Sequence, residues 1–133
     1  MCKALIVEDS ATFRGGIKEI LHSRFPAMMI EEVPDGSELF NKMDAFHPDI
    51  VFMDIRLPGE NGLELTKKIK RNYPDVTVVI LTSYNHPEYR QAAHQIQADH
   101  FVSKDAQTSV FLALVESIYP VQKHAGNNQI GLS

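Results

Sequence analysis

The sequence predicts an α/β fold, a doubly wound parallel sheet of five strands that alternate with five helices in a (βα)5 arrangement. Three observations support this prediction. Short apolar runs alternate with segments whose apolar residues recur at helical spacing. Turn residues, mainly proline and glycine, separate these segments. No internal repeat or low-complexity tract interrupts the pattern, which is typical of a parallel sheet covered by helices on both faces.

The predicted strands divide into three apolar strands and two of mixed composition. The apolar strands lie at residues 3–7, 50–53 and 76–81, and such runs are expected where both faces of a sheet are covered. The mixed strands, at residues 28–33 and 98–104, carry charged side chains and suit the edges of the sheet. This polarity predicts the flavodoxin-like strand order 2-1-3-4-5, whose switch point lies between the first and third strands.

Capping residues and prolines set the expected helix boundaries. The caps and first-turn residues of the five helices are Ser10, Ser37, Asn61, Pro87 and Thr108, and Asn61 with Glu64 has capping-box spacing. The helices are expected to end near Pro26, Pro48, Pro74 and Pro120. Gly15 and Gly16 weaken the first helix by about 1 kcal/mol each, and close packing is the only role that the pattern suggests for them. The fourth helix has a thin apolar stripe and is expected to be the least firmly anchored.

Length and composition predict one domain. We expect residues 1–121 to form it and residues 122–133 to be a polar tail or the start of a linker. The single cysteine, Cys2, excludes an internal disulfide framework and favours a reduced, cytoplasmic setting. No run approaches the roughly 20 apolar residues that cross a bilayer. A net charge of -4 gives no electrostatic footprint for nucleic acid, so we expect a soluble domain that binds neither membrane nor nucleic acid.

Carboxylates follow the two strands that meet at the predicted switch point. Glu8 and Asp9 follow the first strand, and Asp54 follows the third. A lone Asp54 also fits a strand terminator or helix cap. Three carboxylates together, however, repel by about 4 kcal/mol for each pair ~4 Å apart at an effective dielectric near 20. This repulsion favours a bound cation, and oxygen ligands in an exposed cleft favour Mg²⁺.

Two phosphate-binding groups are expected near these carboxylates. Thr82 ends the fourth strand, and Lys104 ends the fifth. Taken singly, Thr82 also fits a strand-end hydrogen bonder and Lys104 a solvated lysine. Together with a divalent cation, they are the parts needed to move a phosphoryl group onto Asp54 and hold it there. Their joint placement therefore favours Asp54 as a phosphoryl acceptor.

These motifs together resemble the receiver domain of two-component response regulators. The resemblance covers about residues 3–119. It depends on four motifs in order, namely Glu8-Asp9, Asp54-Ile55-Arg56-Leu57-Pro58 with Gly59 and Gly62, Thr82-Ser83, and Phe101-x-x-Lys104. The resemblance implies a phosphoacceptor switch rather than an enzyme, with at most slow self-dephosphorylation.

The resemblance also implies a role for each residue. Asp54 accepts phosphate from a sensor histidine kinase or phosphotransfer protein. The implied Mg²⁺ ligands are Glu8, Asp9, Asp54 and the backbone carbonyl of Arg56. Thr82 and Lys104 contact the phosphoryl oxygens. Phe101 is the switch aromatic, coupled to Thr82, and its inward turn alters the surface of the fourth helix, fifth strand and fifth helix toward an effector, an output domain or a phosphorylation-dependent homodimer.

The chain departs from the commonest receiver pattern at two positions. The acidic pair is Glu8-Asp9 rather than two aspartates, which lengthens one ligand and alters the expected metal affinity. Asp105 replaces the proline that often follows the lysine, so no cis-proline is expected there. Arg56 and Tyr84 resemble the positions that tune attack of water on the phosphoryl group, with surface variation as their alternative. Simple packing is likewise the alternative for Phe101.

Three other functions compete with the phosphoacceptor interpretation. A phosphohydrolase with an aspartyl nucleophile needs a second carboxylate two residues later as general acid, and this chain has Arg56 there. A nucleotide binder needs a glycine-rich loop after the first strand, where this chain has Glu8-Asp9. A receiver fold that docks a partner without ever being phosphorylated remains the principal alternative.

Overall fold

The structure is a computed structural model that describes residues 2–83 and 87–119. Its strands are β1 (Lys3–Val7), β2 (Met29–Val33), β3 (Ile50–Met53), β4 (Thr77–Thr82) and β5 (His100–Ser103). Its helices are α1 (Ala11–Arg24), α2 (Leu39–Phe46), α3 (Gly62–Asn72), α4 (Pro87–Gln95) and α5 (Thr108–Ile118). All strand pairs are parallel, and the order β2-β1-β3-β4-β5 confirms the predicted flavodoxin-like sheet.

The side chains of the central strands alternate between two hydrophobic clusters, one on each face of the sheet. Ile50 and Phe52 of β3 join the cluster beneath α1 and α5, whereas Val51 and Met53 join the cluster beneath α2, α3 and α4. β1 and β4 alternate in the same way. Both faces of these strands need apolar side chains, which explains why the central strands are continuous apolar runs in the sequence.

Two of the predicted helix caps are confirmed. The Ser10 hydroxyl accepts a hydrogen bond from the Phe13 N–H at 3.2 Å. Asn61 Oδ1 accepts one from the Leu63 N–H at 2.6 Å, the second residue of α3 rather than the third residue required by a capping box. Both side chains satisfy a donor that the first helical turn leaves without a backbone acceptor.

The predicted cap Ser37 is wrong, because α2 begins at Leu39 with Glu38 in the N-cap position. The backbone N–H of Ser37 instead donates to Asp35 Oδ1 at 2.8 Å. This contact is an Asx turn, in which an aspartate side chain replaces a backbone acceptor. α2 therefore begins one residue later than predicted.

The predicted cap Thr108 is also wrong, because it is the first residue of α5 and Gln107 occupies the N-cap position. The Gln107 side chain makes no capping hydrogen bond. Pro87 is the first residue of α4, as predicted for a residue whose missing N–H costs nothing there. The expected stop at Pro120 lies outside the described residues.

Close packing does not explain the two glycines of α1. A Cβ atom added to Gly15 or Gly16 meets no atom within 4 Å, and both residues are exposed. The expectation of close packing is therefore wrong, and nothing in the structure explains why these positions carry glycine. Tyr84 and the expected tail at residues 122–133 lie outside the described part of the chain. None of the helices within that part is both long and apolar enough to cross a membrane.

Candidate functional site

The candidate site lies at the carboxyl ends of β1 and β3. Val7 pairs with Met53 in the parallel ladder, so the residues that follow them, Glu8 and Asp54, leave the sheet side by side. The Asp54 N–H donates to the Val7 carbonyl at 3.1 Å, and the Glu8 N–H donates to the Val33 carbonyl at 3.1 Å. Backbone hydrogen bonds therefore fix both carboxylates at the predicted switch point.

Lys104 connects these carboxylates to the other side of the sheet. Its N–H donates to the Thr82 carbonyl at 2.9 Å, which continues the β4–β5 ladder. Its Nζ lies 2.6 Å from Glu8 Oε1 and 3.4 Å from Asp54 Oδ2. The same ammonium lies 4.3 Å from the centre of the Phe13 ring, within range of a cation–π interaction. One lysine thus bridges two acids from different strands.

Burial raises the energetic cost of keeping Glu8, Asp54 and Lys104 charged. Glu8 and Asp54 are 4% and 7% exposed, and the Lys104 side chain is 15% exposed. Burial and the nearby Glu8 carboxylate raise the pKa of Asp54, whereas Lys104 and the Ile55 N–H oppose that shift. One cation facing two buried carboxylates leaves an excess of negative charge, which a further cation would relieve.

The two adjacent acids Glu8 and Asp9 occupy different environments. Glu8 points into the site, where Oε1 accepts from Lys104 at 2.6 Å and Oε2 accepts from the Ser10 N–H at 2.8 Å. Asp9 is exposed. The departure from two aspartates therefore has a structural role, since the longer Glu8 side chain contacts both the lysine and the loop that starts α1.

The backbone of Asp54 is in close contact with the start of α3. A Cβ atom on Gly62 would lie 1.8 Å from the Asp54 carbonyl oxygen, a distance that only glycine avoids. The Gly62 N–H donates to the Ile55 carbonyl at 2.8 Å, and the Ile55 N–H donates to Asp54 Oδ1 at 2.9 Å. Gly59 has a φ of 79°, in the left-handed region that favours glycine. These contacts give a physical reason for both glycines of the motif.

The remaining predicted residues, Thr82, Arg56 and Phe101, lie in three different environments. Thr82 is fully buried at the end of β4. Arg56 is exposed in the loop after Asp54. Phe101 is half-buried on β5 against the cluster beneath α2, α3 and α4, and the Arg90 guanidinium lies 4.6 Å from the centre of its ring. The Arg90 contact was not predicted, because periodicity marks Arg90 only as a polar helix position.

The donor set fits a hard divalent cation. Glu8 and Asp54 supply buried carboxylate oxygens beside the exposed Asp9, and this is the oxygen chemistry that Mg²⁺ prefers. Within residues 2–83 and 87–119, no three His, Cys, Asp or Glu side chains form a ready-made metal cage. An open site of this kind suits Mg²⁺, which keeps several of its waters.

A family model described as the response regulator receiver domain matches residues 4–116. The chain belongs to this family. The match confirms the resemblance predicted from the motifs, and it covers every predicted site residue. Receiver domains are parts of two-component response regulators, so this chain is a two-component receiver domain.

Curated relatives agree with this assignment. The oxygen regulatory protein NreC of Staphylococcus carnosus is 31% identical over 118 residues, which cover 88% of this chain and 54% of the relative. The response regulator GacA of Pseudomonas syringae pv. syringae is 28% identical over 124 residues, or 93% of this chain and 58% of the relative. The receiver chain thus spans about half the length of these relatives.

Solved receiver structures have the same fold. A LuxR-family two-component response regulator from Aurantimonas sp. SI85-9A1 aligns with a TM-score of 0.81 and 26% identity, over 89% of this chain and 84% of that one. The receiver domain of a DNA-binding response regulator from Colwellia psychrerythraea aligns with a TM-score of 0.85 and 17% identity, over 90% and 99% of the two chains. The second likeness supports the fold alone.

Proposed function

We propose that this receiver is a cytoplasmic phosphorylation switch in which Asp54 accepts a phosphoryl group in a Mg²⁺-dependent reaction. The donor is a phosphohistidine on a sensor kinase or on a phosphotransfer protein. One observation carries the proposal: Asp54 is a buried carboxylate with a lysine ammonium 3.4 Å from Oδ2. A carboxylate held beside a cation at the end of a central strand suits phosphoryl transfer.

Asp54 acts as the nucleophile in this reaction. One carboxylate oxygen attacks the phosphorus atom, the phosphorus–nitrogen bond to the donor imidazole breaks, and the imidazole keeps the electron pair and takes up a proton. The Ile55 N–H donates to Oδ1 and fixes the rotation of the carboxylate. Lys104, which contacts Oδ2, is within reach of oxygens added at Asp54 and supplies the positive charge that they need.

The chain supplies the ligands for the divalent cation. Glu8, Asp9, Asp54 and the backbone carbonyl of Arg56 are the groups that we propose hold Mg²⁺. When bound, the ion neutralises the excess negative charge of the site and of the incoming phosphoryl group. Burial, and after it the nearby Glu8 carboxylate, raises the pKa of Asp54.

The proposed output is a change in the surface of α4, β5 and α5. Thr82 contacts the phosphoryl group, and Phe101 changes its position in response. Phe101 is half-buried, so its ring has both a solvent side and a core side. The proposed binding partner of this surface is an effector protein, an output domain or a second receiver. Solved relatives include LuxR-family DNA-binding regulators, and that output is proposed here only for a longer chain that contains this receiver.

Intact-protein mass spectrometry tests the phosphoacceptor role. The wild type, Asp54→Asn and the matched control Asp105→Asn are incubated with acetyl phosphate, with and without Mg²⁺. Asp105 is an exposed aspartate just after β5, so its variant controls for loss of one carboxylate. The proposal predicts one added phosphoryl group in the wild type and in Asp105→Asn, only with Mg²⁺, and none in Asp54→Asn.

Other results would contradict the proposed phosphoacceptor role of Asp54. Labelling that persists in Asp54→Asn would move the acceptor to another residue. A folded wild type that is never labelled would support the docking module that works without phosphorylation. Sustained release of inorganic phosphate over many turnovers would support the phosphohydrolase, a reaction for which Arg56 leaves no general acid two residues after the nucleophile.

A further inference from the structure

Arg14, on the first turn of α1, contacts the backbone of the acidic loop rather than any acidic side chain within it. Its Nη1 donates to the Glu8 carbonyl at 2.7 Å and lies 3.4 Å from the Asp9 carbonyl. The Arg14 N–H also donates to the Ser10 carbonyl at 2.9 Å. One residue thus contacts the backbone of three consecutive positions that connect β1 to α1.

Glu32 of β2 holds the Arg14 guanidinium in this orientation. Arg14 Nε donates to Glu32 Oε1 at 2.8 Å, and Lys18 Nζ lies 3.2 Å from Glu32 Oε2. Both partners lower the pKa of Glu32, with the Arg14 hydrogen bond as the main cause. The contact links the acidic loop to the edge of the sheet. It also explains why β2 carries a glutamate at this position.

We propose that Arg14 is a positioning residue that holds the Glu8-Asp9 loop in the conformation that binds the divalent cation, with Glu32 as its anchor. This inference rests on the proposed function for its metal-binding consequence. The geometry requires arginine, because the planar guanidinium donates to a carboxylate from Nε and to a carbonyl from Nη1 at the same time. A lysine at this position has a single donor nitrogen and lacks the fixed planar arrangement by which the guanidinium donates to the two partners from separate atoms.

The loop conformation matters because Glu8 and Asp9 face different directions. Glu8 is buried against Lys104, whereas Asp9 is exposed, and the intervening peptide sets the relative placement of the two carboxylates. Arg14 contacts the carbonyls on either side of that step. Loss of the guanidinium frees both carbonyls to turn toward water and lets the two carboxylates separate. A cation that needs both would then bind more weakly.

The test compares Arg14→Met with the matched control Lys18→Met in the full chain labelled with ¹⁵N. Lys18 shares Glu32 with Arg14 but makes no contact with the loop, so its variant removes the same charge from the same network. Two quantities are measured by NMR: exchange of the Ser10 amide proton with water in EDTA, and the Mg²⁺ dissociation constant from amide shifts. Thermal unfolding establishes that each variant is folded.

We expect the Ser10 amide, which donates to Glu8 Oε2 in the intact loop, to exchange at least about fivefold faster in Arg14→Met, and Mg²⁺ to bind about tenfold more weakly, as for other groups that orient metal ligands. Lys18→Met should stay within about twofold of wild type in both measurements. Arg14→Lys should recover only part of the loss. Glu32→Gln should weaken the effect of Arg14 without abolishing it, because the amide oxygen still accepts a hydrogen bond.

Three results would overturn the inference. The first is unchanged Ser10 exchange in Arg14→Met, and the second is faster exchange with unchanged Mg²⁺ affinity. Equal losses in Arg14→Met and Lys18→Met would also overturn it, because general electrostatics would then explain the effect. Failure of the wild type to bind Mg²⁺ or to be labelled at Asp54 would overturn the proposed function, while exchange in EDTA would still decide whether Arg14 holds the loop.

Discussion

α3 and α4 pack on the same face of the sheet, yet they bury very different amounts of side chain. α3 buries Gly62, Leu65, Thr66 and Ile69, and Asn61 caps its start. Within α4, all of which the structure describes, Ala93 is the only buried residue. The strands nearby differ in the same way, since all four residues of β3 are buried and all four of β5 are half-buried.

This contrast divides the receiver into a well-packed side that carries the proposed acceptor, here called the acceptor side, and a less buried side that carries the proposed output surface, here called the output side. Segments with few buried apolar contacts open at a lower free energy than the core, and moving elements come from such segments. The acceptor Asp54 lies directly after β3 and touches α3, whereas Phe101 lies on β5 beside α4. The thin apolar stripe of α4 predicted this looseness, and the structure agrees.

The test with the largest expected effect compares two isoleucine truncations, one on each side of this contrast. Ile69→Ala in α3 removes a fully buried side chain and should lower the free energy of unfolding by about 3–4 kcal/mol. Ile96→Ala, just after α4, removes a half-buried one and should cost less than about 1 kcal/mol. Urea unfolding followed by circular dichroism measures both. Equal losses would remove the distinction between the two sides.

Gly62→Ala probes the contact between α3 and the acceptor backbone. The new Cβ would lie 1.8 Å from the Asp54 carbonyl oxygen, so the backbone of α3 or of Asp54 would have to shift. We expect a loss of about 3 kcal/mol in the same urea experiment, at the upper end of overpacking costs. Gly15→Ala is the control, because its Cβ meets open space. Wild-type stability in Gly62→Ala would show that α3 shifts readily.

The pH dependence of stability tests the electrostatics of the acceptor side. The folded pKa of Asp54 is raised, so the charged carboxylate disfavours folding, and this cost appears as pH rises through the folded pKa. Asp54→Asn should therefore be more stable than wild type at pH 7, and the difference should shrink as pH falls below the ordinary pKa of aspartate. Chemical unfolding between pH 3 and 8 measures it, with Asp105→Asn as control. A gap that widens in acid would contradict the assignment.

The smallest expected effect concerns α1, which packs on the opposite face of the sheet. Gly15→Ala and Gly16→Ala should each raise the free energy of unfolding by up to about 1 kcal/mol, because alanine favours the helix and the added Cβ atoms have space. Thermal unfolding of the two variants measures the gain. A loss of stability would mean that the glycines have a structural role that the open surroundings do not reveal.

The polarity of the side chains along the chain predicted the strand order, because a strand that is buried on both faces has no exposed position for a polar side chain. β3 is buried at every residue, whereas β2 keeps Glu31 and Glu32 and lies at the edge. Once that order is known, the carboxyl ends of β1 and β3 must be neighbours. The meeting of Glu8 and Asp54 followed from topology alone.

Contacts that depend on packing were not predictable in the same way. Glu8 and Lys104 are 96 positions apart, and Glu8 was expected to bind Mg²⁺ and Lys104 to contact the phosphoryl oxygens, without a direct pair between them. The predicted cap at Ser37 was wrong because Ser37 lies in an Asx turn with Asp35 and α2 begins after Glu38, a local alternative to the helix that spacing does not resolve. Arg14 was missed because its partners come from a loop backbone and from a strand that is distant in sequence.

The contact between Gly62 and the Asp54 carbonyl makes movement of the Asp54 backbone harder in one direction than in the other. Steric repulsion rises steeply once two atoms touch, so α3 acts as a rigid stop on one side of the acceptor. A backbone displacement at Asp54 meets high resistance toward α3. Resistance is lower toward β5, whose four residues are only half-buried, and toward α4, which buries Ala93 alone. Steric contact with α3 thus favours displacement of the proposed acceptor toward the surface that we propose as the output.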